Sequence, residues 1–212
     1  RGLPVVAGAS DGTAGFIASG ARQPGEYNTT LGTTLVFKGV SRQLCGHPQG
    51  IIYCHKLPGA LWLPGAASNS GGEWVTSWFS GEDLAALDRA AAPLLPTRCV
   101  AYPLARDGER FPFLAPEARG FFEPEPTTTL ERFAAGLQGT ALLERLAYQT
   151  LDAIAGTTGG DVYSTGGGSR SDIWMQCRAD ACGRTVHRPG CPESAFGSAV
   201  LAAAGTHYPT LG

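Results

Sequence analysis

The chain has 212 residues and a formal net charge of −2, and 16% of its residues are charged. This sparse and balanced charge argues against a large basic surface for nucleic acid or anionic lipid. No run approaches the roughly 20 consecutive apolar residues of a membrane-spanning helix. Glycine is in excess at 30 residues, about twice the usual share of roughly 7%. We expect a folded chain that binds neither nucleic acid nor membrane and that exposes bare backbone somewhere.

The first third of the chain alternates short apolar runs with glycine and proline. Runs rich in β-branched and aromatic residues between such breaks are typical of strands. Small apolar residues after Gly12 favour a helix packed closely on a sheet. In chain order the pattern predicts a strand, a helix and three further strands at residues 3–6, 13–20, 35–40, 51–54 and 60–63. This part therefore reads as a β-rich layer.

The middle of the chain is predicted to be helical and then irregular. An S-x-x-D pattern at residues 80–83 indicates a helix that runs to Pro93. The following segment, residues 102–120, is rich in proline and aromatic residues and is expected to be a loop.

The last part begins with a capping box, Thr128 and Glu131, which opens a long helix that Gly156 stops. The pattern then predicts a strand, a glycine loop and two helices, at residues 161–164, 166–168, 171–182 and 192–204. Gly183 and Gly205 end these two helices. No repeat or linker interrupts the chain, so residues 1–212 are predicted to form one α/β domain.

Six cysteines invite a metal interpretation. Two Cys/His groups come close in sequence, one of Cys45, His47, Cys54 and His55 and one of Cys177, Cys182, His187 and Cys191. Structural zinc takes four nitrogen or sulfur ligands, usually from close C-x-x-C pairs. Neither group contains such a pair, so we predict no metal site and interpret the cysteines as small buried or loop residues.

A glycine loop and one carboxylate are candidates for chemistry. Gly166–Gly168, after a strand and before a helix, suits an anion, but it matches neither the dinucleotide nor the Walker fingerprint, so a simple tight turn is an equal alternative. Asp11 is either a helix N-cap or a functional carboxylate. The second interpretation follows from Gly8, Gly12 and Gly15, which leave the carboxylate open to a substrate.

Five segments in order resemble the C-terminal domain of the FGGY family of carbohydrate kinases. They are Val6–Gly15, Leu31–Thr34, the loop at 108–122, Gly166–Gln176 and Ala179–Arg184. The resemblance extends from about residue 3 to residue 205. Xylulokinase-like members are the most similar, because of Gly108-Glu109-Arg110 and the segment from Ala115 to Gly120.

The resemblance implies an α/β fold, the actin-like ATPase domain of the ribonuclease H type, with a mixed sheet flanked by helices. Two such domains close around ATP and a sugar or polyol, and this chain is similar to the second domain only. An N-terminal domain is therefore expected to be absent from the chain.

The resemblance also assigns roles to residues. Asp11 matches the catalytic base, and Gly32, Thr33 and Thr34 match the turn around the β- and γ-phosphates. Gly166, Gly167 and Gly168 match the segment that lines the adenosine side, where Asp172 and Gln176 are the expected polar contributors.

The resemblance implies the ATP- and Mg²⁺-dependent phosphorylation of a sugar or polyol, and it favours a xylulose-like ketose as the substrate. The expected location is the cytoplasm. The fragment alone is expected to be inactive. The alternative is a non-catalytic actin-like regulatory or scaffold domain that retains nucleotide binding. A homodimer is a further expectation, because Trp74, Trp78 and Phe79 belong either to an interface or to the core.

Overall fold

The computed structural model describes residues 2, 5–204 and 206. The helices are α1 Asp11–Ser19, α2 Glu73–Trp78, α3 Leu84–Ala91, α4 Thr129–Ala155, α5 Asp172–Cys182 and α6 Ser194–Ala203. The strands are β1 Tyr27–Leu31, β2 Leu35–Gly39, β3 Tyr53–Lys56, β4 Trp62–Ser68, β5 Val100–Tyr102, β6 Phe121–Glu123, β7 Val162–Thr165 and β8 Val186–His187. Among the described residues no helix is both long and apolar enough to cross a membrane.

Six strands form one mixed sheet in the order β3-β4-β2-β1-β7-β8. Strands β1 to β4 pair antiparallel, whereas β7 runs parallel to β1 and β8 parallel to β7. Strands β5 and β6 form a separate antiparallel pair at the two ends of the proline-rich loop. The prediction of a mixed sheet flanked by helices is confirmed.

The sheet is covered on both faces. Helix α4 packs on one face, where Leu137, Tyr148 and Leu151 join Leu31 and Phe37 in the main core. Helix α1 lies on the other face, and its Phe16 packs with Val40 and Leu63. Helix α6 crosses α1 so closely that a Cβ on Gly197 would overlap the Ala14 carbonyl.

Local capping sets the ends of the long helices as predicted. Thr128 and Glu131 form a complete capping box at the start of α4, and Gly156 ends it in the left-handed conformation, with φ of 64°. Gly183 does the same for α5, with φ of 63°. The helix expected from residue 80 instead begins at Leu84, because the Asp83 side chain accepts from the first-turn amides of α3.

Some strand predictions were wrong in position, and some elements of the structure were not predicted. The strands expected at 51–54 and 60–63 lie at Tyr53–Lys56 and Trp62–Ser68. Val5 and Val6 form no strand, while Leu3, Pro4 and Gly205 lie outside the described residues. Helix α2 and strands β1, β5, β6 and β8 were not predicted, because their short or polar sequences carry no clear periodicity.

The aromatic residues considered for an interface belong mainly to the core. Trp74 is fully buried and Phe79 is 3% exposed, while Trp78 is half-buried beside them. The Trp74 ring meets Phe133 and Trp174 edge-on at 5.7 Å in both cases. These contacts join α2 to α4 and α5, so the three aromatic residues do not indicate a homodimer surface.

Candidate functional site

A cavity of about 600 Å³ opens between the glycine turns of the sheet and the surrounding helices. One end is formed by the turn between β1 and β2, by the start of α2, and by the short 3₁₀ helix Gly167–Arg170 that follows β7. The other end, between α2, α3, α4 and α5, is mostly apolar. The apolar lining residues of these helices are Val75, Leu84, Ala85, Phe133, Leu137 and Trp174, while Leu31 of β1 lies at the glycine turns against Gly168.

Glycines line the first end of the cavity for two different reasons. A Cβ on Gly168 would clash with the Leu31 side chain, and one on Gly72 would lie 2.8 Å from the Gly32 carbonyl oxygen, so packing requires both. Around Gly32 and Gly167, by contrast, nothing lies within 4 Å of such a Cβ, and neither has a positive φ. Packing therefore does not require glycine at these two positions, and its absence of a side chain leaves the cavity open.

The turn after β1 is held by backbone hydrogen bonds rather than by side chains. The Gly32 amide donates to the Thr34 carbonyl at 3.1 Å, and the Gly32 carbonyl accepts from the Gly72 amide at 2.7 Å. Both groups are thus engaged within the protein. An anion at this turn therefore meets the exposed Thr33 and the bare surface of Gly32.

The Asp88 carboxylate of α3 lines the cavity and is half-buried. The Ser171 hydroxyl donates to it at 2.7 Å, and the Ser171 Oγ also accepts from the Trp174 amide at 2.8 Å. Burial raises the pKa of Asp88, and the bond from Ser171 opposes this shift. Asp88 and Ser171 thus offer a fixed acceptor next to an otherwise apolar wall.

The structure brings together only part of the predicted site. Gly32, Thr33, Gly167 and Gly168 line the same cavity, and Thr34 and Gly166 adjoin them in the chain. Their convergence joins two turns that are more than 130 residues apart in sequence.

Asp172 and Gln176 lie on α5 but do not line the cavity. Arg188 donates to the Asp172 carboxylate at 2.8 Å, and Gln176 donates to Asp180 at 2.7 Å. The residues here that line the cavity are Ser171, the N-cap of α5, and Trp174 in its first turn. Asp88 and Ser171 are among the polar residues that line the cavity, and neither was among the predicted site residues.

Asp11 lies apart from the cavity, at the first residue of α1. Ser10 is the N-cap, since its hydroxyl accepts from the Thr13 amide, so the interpretation of Asp11 as N-cap is wrong. The Asp11 carboxylate is exposed and accepts from the Gly12 amide at 2.7 Å. It is thus free to meet a molecule in solution, while the turn that carries it is fixed.

Neither Cys/His group forms a metal site in the part of the chain that the structure describes. Within residues 2, 5–204 and 206, no three His, Cys, Asp or Glu side chains are arranged to hold a metal ion, and all six cysteines are free thiols.

A buried ion pair supports the helices that line the cavity. Arg178 of α5 donates to both oxygens of Glu144 of α4, at 2.5 and 2.8 Å, and to Ser164 of β7 at 2.6 Å. Both charged side chains are fully buried. Burial alone would raise the pKa of Glu144, but Arg178 and the hydroxyls of Thr29 and Tyr148 outweigh it and hold the pKa below its usual value.

Comparison with known proteins gives a consistent result. Residues 27–206 match the model of the FGGY family of carbohydrate kinases, C-terminal domain, a range that begins after Asp11. A xylulose kinase from Escherichia coli K12 is 28% identical over 94% of this chain and 43% of its own length. A gluconokinase from Bacillus licheniformis is 26% identical over 93% of this chain and 42% of its own.

A solved structure of xylulose kinase from Rhodospirillum rubrum superposes with a TM-score of 0.81 at 28% identity, covering 96% of this chain and 43% of that one. The expected actin-like fold is confirmed. The chain spans less than half the length of these relatives.

Proposed function

Because the chain belongs to the FGGY family of carbohydrate kinases, we propose that it supplies the ATP-binding half and the catalytic base of a sugar or polyol kinase. Residues 1–212 act as one domain, and an N-terminal domain completes the enzyme, which we call the two-domain kinase. Support for a second domain comes from the relatives, since this chain spans only 43% of the xylulose kinase from E. coli.

One observation carries the nucleotide assignment: Gly32 and Gly167 are bare although nothing in the fold would collide with a Cβ there. Both face the same cavity. Phosphate groups need close approach to backbone, and glycine permits it. The β- and γ-phosphates therefore lie at Gly32, Thr33 and Thr34, with Gly166–Gly168 on the adenosine side.

The apolar end of the cavity suits the adenine ring of the nucleotide. Its walls are formed by Val75, Leu84, Leu137 and Trp174. A flat aromatic ring buried among them would be removed from water, which favours binding. Ser171 and Asp88 take the polar role that the sequence assigned to Asp172 and Gln176. The nucleotide thus spans the cavity from the glycine turns to α3.

Asp11 acts as the general base that takes the proton from the hydroxyl being phosphorylated. Bound with the ATP phosphates, Mg²⁺ would supply positive charge that stabilises the charge on the transferred group. Phosphoryl transfer needs mostly positioning of the reactants and stabilisation of charge. Because this chain holds the phosphates and the catalytic base only, the N-terminal domain is still required to hold the acceptor. We expect no kinase activity from this chain alone.

The acceptor is a hydroxyl of a sugar or polyol. The sequence-based preference for a xylulose-like ketose stays a prediction, because a gluconokinase matches this chain almost as well as a xylulose kinase does. A panel containing xylulose and gluconate, tested with the two-domain kinase, identifies the acceptor.

Single alanine substitutions at Gly32 and Gly167 test the nucleotide site. Each is expected to weaken ADP binding by about tenfold or more, or roughly 1.4 kcal/mol, because the new methyl group enters the space of the phosphates. NMR titration of the 212-residue chain with ADP and Mg²⁺ measures this even when binding is weak. Stability without ligand should stay unchanged, since no atom lies in the way.

Gly190→Ala is the matched control, because Gly190 also has open space around it and lies outside the cavity. It should bind ADP like the parent. Parental ADP affinity in Gly32→Ala and Gly167→Ala, as in the control, would contradict the proposed nucleotide site.

A further inference from the structure

Lys38 of β2 is a lysine buried in the sheet face beneath α1. Its side chain is part of a residue only 7% exposed, although lysine is almost never this buried unless it is paired. The ammonium Nζ donates to the Gly12 carbonyl oxygen at 2.6 Å. A buried charge thus contacts the residue that follows Asp11.

Two glycines make room for this side chain. Gly65 lies opposite Lys38 on β4, and a Cβ there would be 2.7 Å from the Lys38 Cγ. A Cβ on Gly12 would be 3.0 Å from the Lys38 Nζ. Glycine inside a strand often marks such a close approach. The packing on both sides of Lys38 therefore accommodates an extended lysine.

The Asp11 carboxylate is part of the same arrangement. Burial lowers the pKa of the Lys38 ammonium, and the negative charge of Asp11 opposes this shift. Gly12 is held at both of its backbone groups, since its amide donates to the Asp11 carboxylate at 2.7 Å and its carbonyl accepts from Lys38. The first turn of α1 is thereby attached to the sheet.

Strand β2 also leads directly from the turn assigned to the phosphates. It begins at Leu35, immediately after Thr34, and is hydrogen-bonded on both sides, to β1 and to β4. The contact from Lys38, the fourth of the five residues of β2, to Gly12 therefore links the position of Asp11 to that of the phosphate turn through one strand.

We propose that Lys38 is a positioning residue, which fixes the Asp11-bearing turn relative to the bound phosphates; this rests on the proposed function. A proton acceptor displaced by about 1 Å can lose about 10²-fold in rate. Loss of the Lys38 contact should therefore slow the chemical step and leave nucleotide binding intact, because Lys38 is not part of the cavity lining.

The test compares Lys38→Met and Lys38→Arg in the two-domain kinase, with Lys56→Met as the control for an exposed lysine. With ATP and either xylulose or gluconate as acceptor, Lys38→Met should lower kcat by about 10- to 100-fold and leave the KM for ATP within about twofold. Lys38→Arg should have a higher kcat than Lys38→Met, because a guanidinium can still donate to the Gly12 carbonyl. Lys56→Met should match the parent.

A second readout does not need activity. In the 212-residue chain, Lys38→Met should speed hydrogen exchange of the Thr13 and Ala14 amides, which bond to Ser10 in the first turn of α1, while amides of β7 stay protected. This result together with the kcat loss supports the proposal.

A parental kcat in Lys38→Met would overturn the inference, as would an equal loss in Lys38→Met and Lys38→Arg with weakened ATP binding. Failure of the proposed function gives a different pattern, in which Asp11→Asn itself keeps full activity.

Discussion

Asp11→Asn in the two-domain kinase is expected to lower kcat by about 10²- to 10⁴-fold, the usual contribution of a general base. Asparagine keeps the size and shape of the side chain but cannot accept the proton of the reacting hydroxyl. The fold should be unaffected, because the Asp11 carboxylate is exposed and the helix cap belongs to Ser10.

Steady-state kinetics with ATP and the acceptor measure the kcat loss, and ADP titration of the same variant measures binding. Binding should be unchanged, since Asp11 lies outside the nucleotide cavity. Asp180→Asn on α5 is a control for an exposed carboxylate remote from α1 and should keep parental kcat. Full activity of Asp11→Asn would contradict its role as the base, whereas a parental two-domain kinase without activity on any acceptor would favour the regulatory or scaffold alternative.

Arg178→Met is expected to lower the free energy of unfolding by about 3–5 kcal/mol, the usual cost of removing one partner of a buried ion pair. Methionine fills part of the volume but leaves the Glu144 carboxylate buried without its cation. Since domains of this kind are stable by about 5–15 kcal/mol, the variant should be only marginally folded. Urea unfolding of the 212-residue chain measures the loss.

The loss should also depend on pH. In the parent the pKa of Glu144 lies below its usual value. The ionised carboxylate therefore adds to the free energy of unfolding above that usual value, and this contribution is lost as the pH falls. Without Arg178, burial raises the pKa of Glu144, and the variant then loses stability as the pH rises. The difference between parent and variant should therefore be larger at pH 8 than at pH 5.

Two further variants make this test specific. Arg119→Met removes an exposed arginine paired with Asp107 and should leave stability nearly unchanged. Adding Glu144→Leu to Arg178→Met should recover much of the loss, because no uncompensated charge is left. A loss below about 1 kcal/mol in Arg178→Met would mean that the Glu144 carboxylate tolerates burial without its cation, contrary to this prediction.

Features set by a few neighbouring residues could be predicted from the sequence. The ends of α4 follow from the Thr128–Glu131 capping box and from Gly156, all of which act locally. Strand β1 could not be predicted, because Thr29 is buried only with partners such as Glu144, more than 100 residues away. Its polar sequence acquires strand character from tertiary contacts.

The site shows the same division. Gly32 and Gly167, which line the cavity, were assigned through motifs that lie on turns, and glycine marks turns clearly in a sequence. Asp88 was missed because its place beside Ser171 depends on how α3 packs against α5. Asp172 and Gln176 were assigned to the adenosine side because the motif names the segment, whereas the rotation of the helix decides which side chains face the cavity.

We propose that this chain carries the nucleotide-binding half of a kinase, with the phosphates at the two glycine turns. Mapping ADP and Mg²⁺ onto the 212-residue chain by amide chemical shifts tests it most directly. We expect the largest changes at Gly32, Thr33, Gly167, Gly168 and Ser171, and little change at Gly190. Changes confined to the opposite end of α5, around Arg184, or no saturable change at millimolar ADP, would contradict the claim.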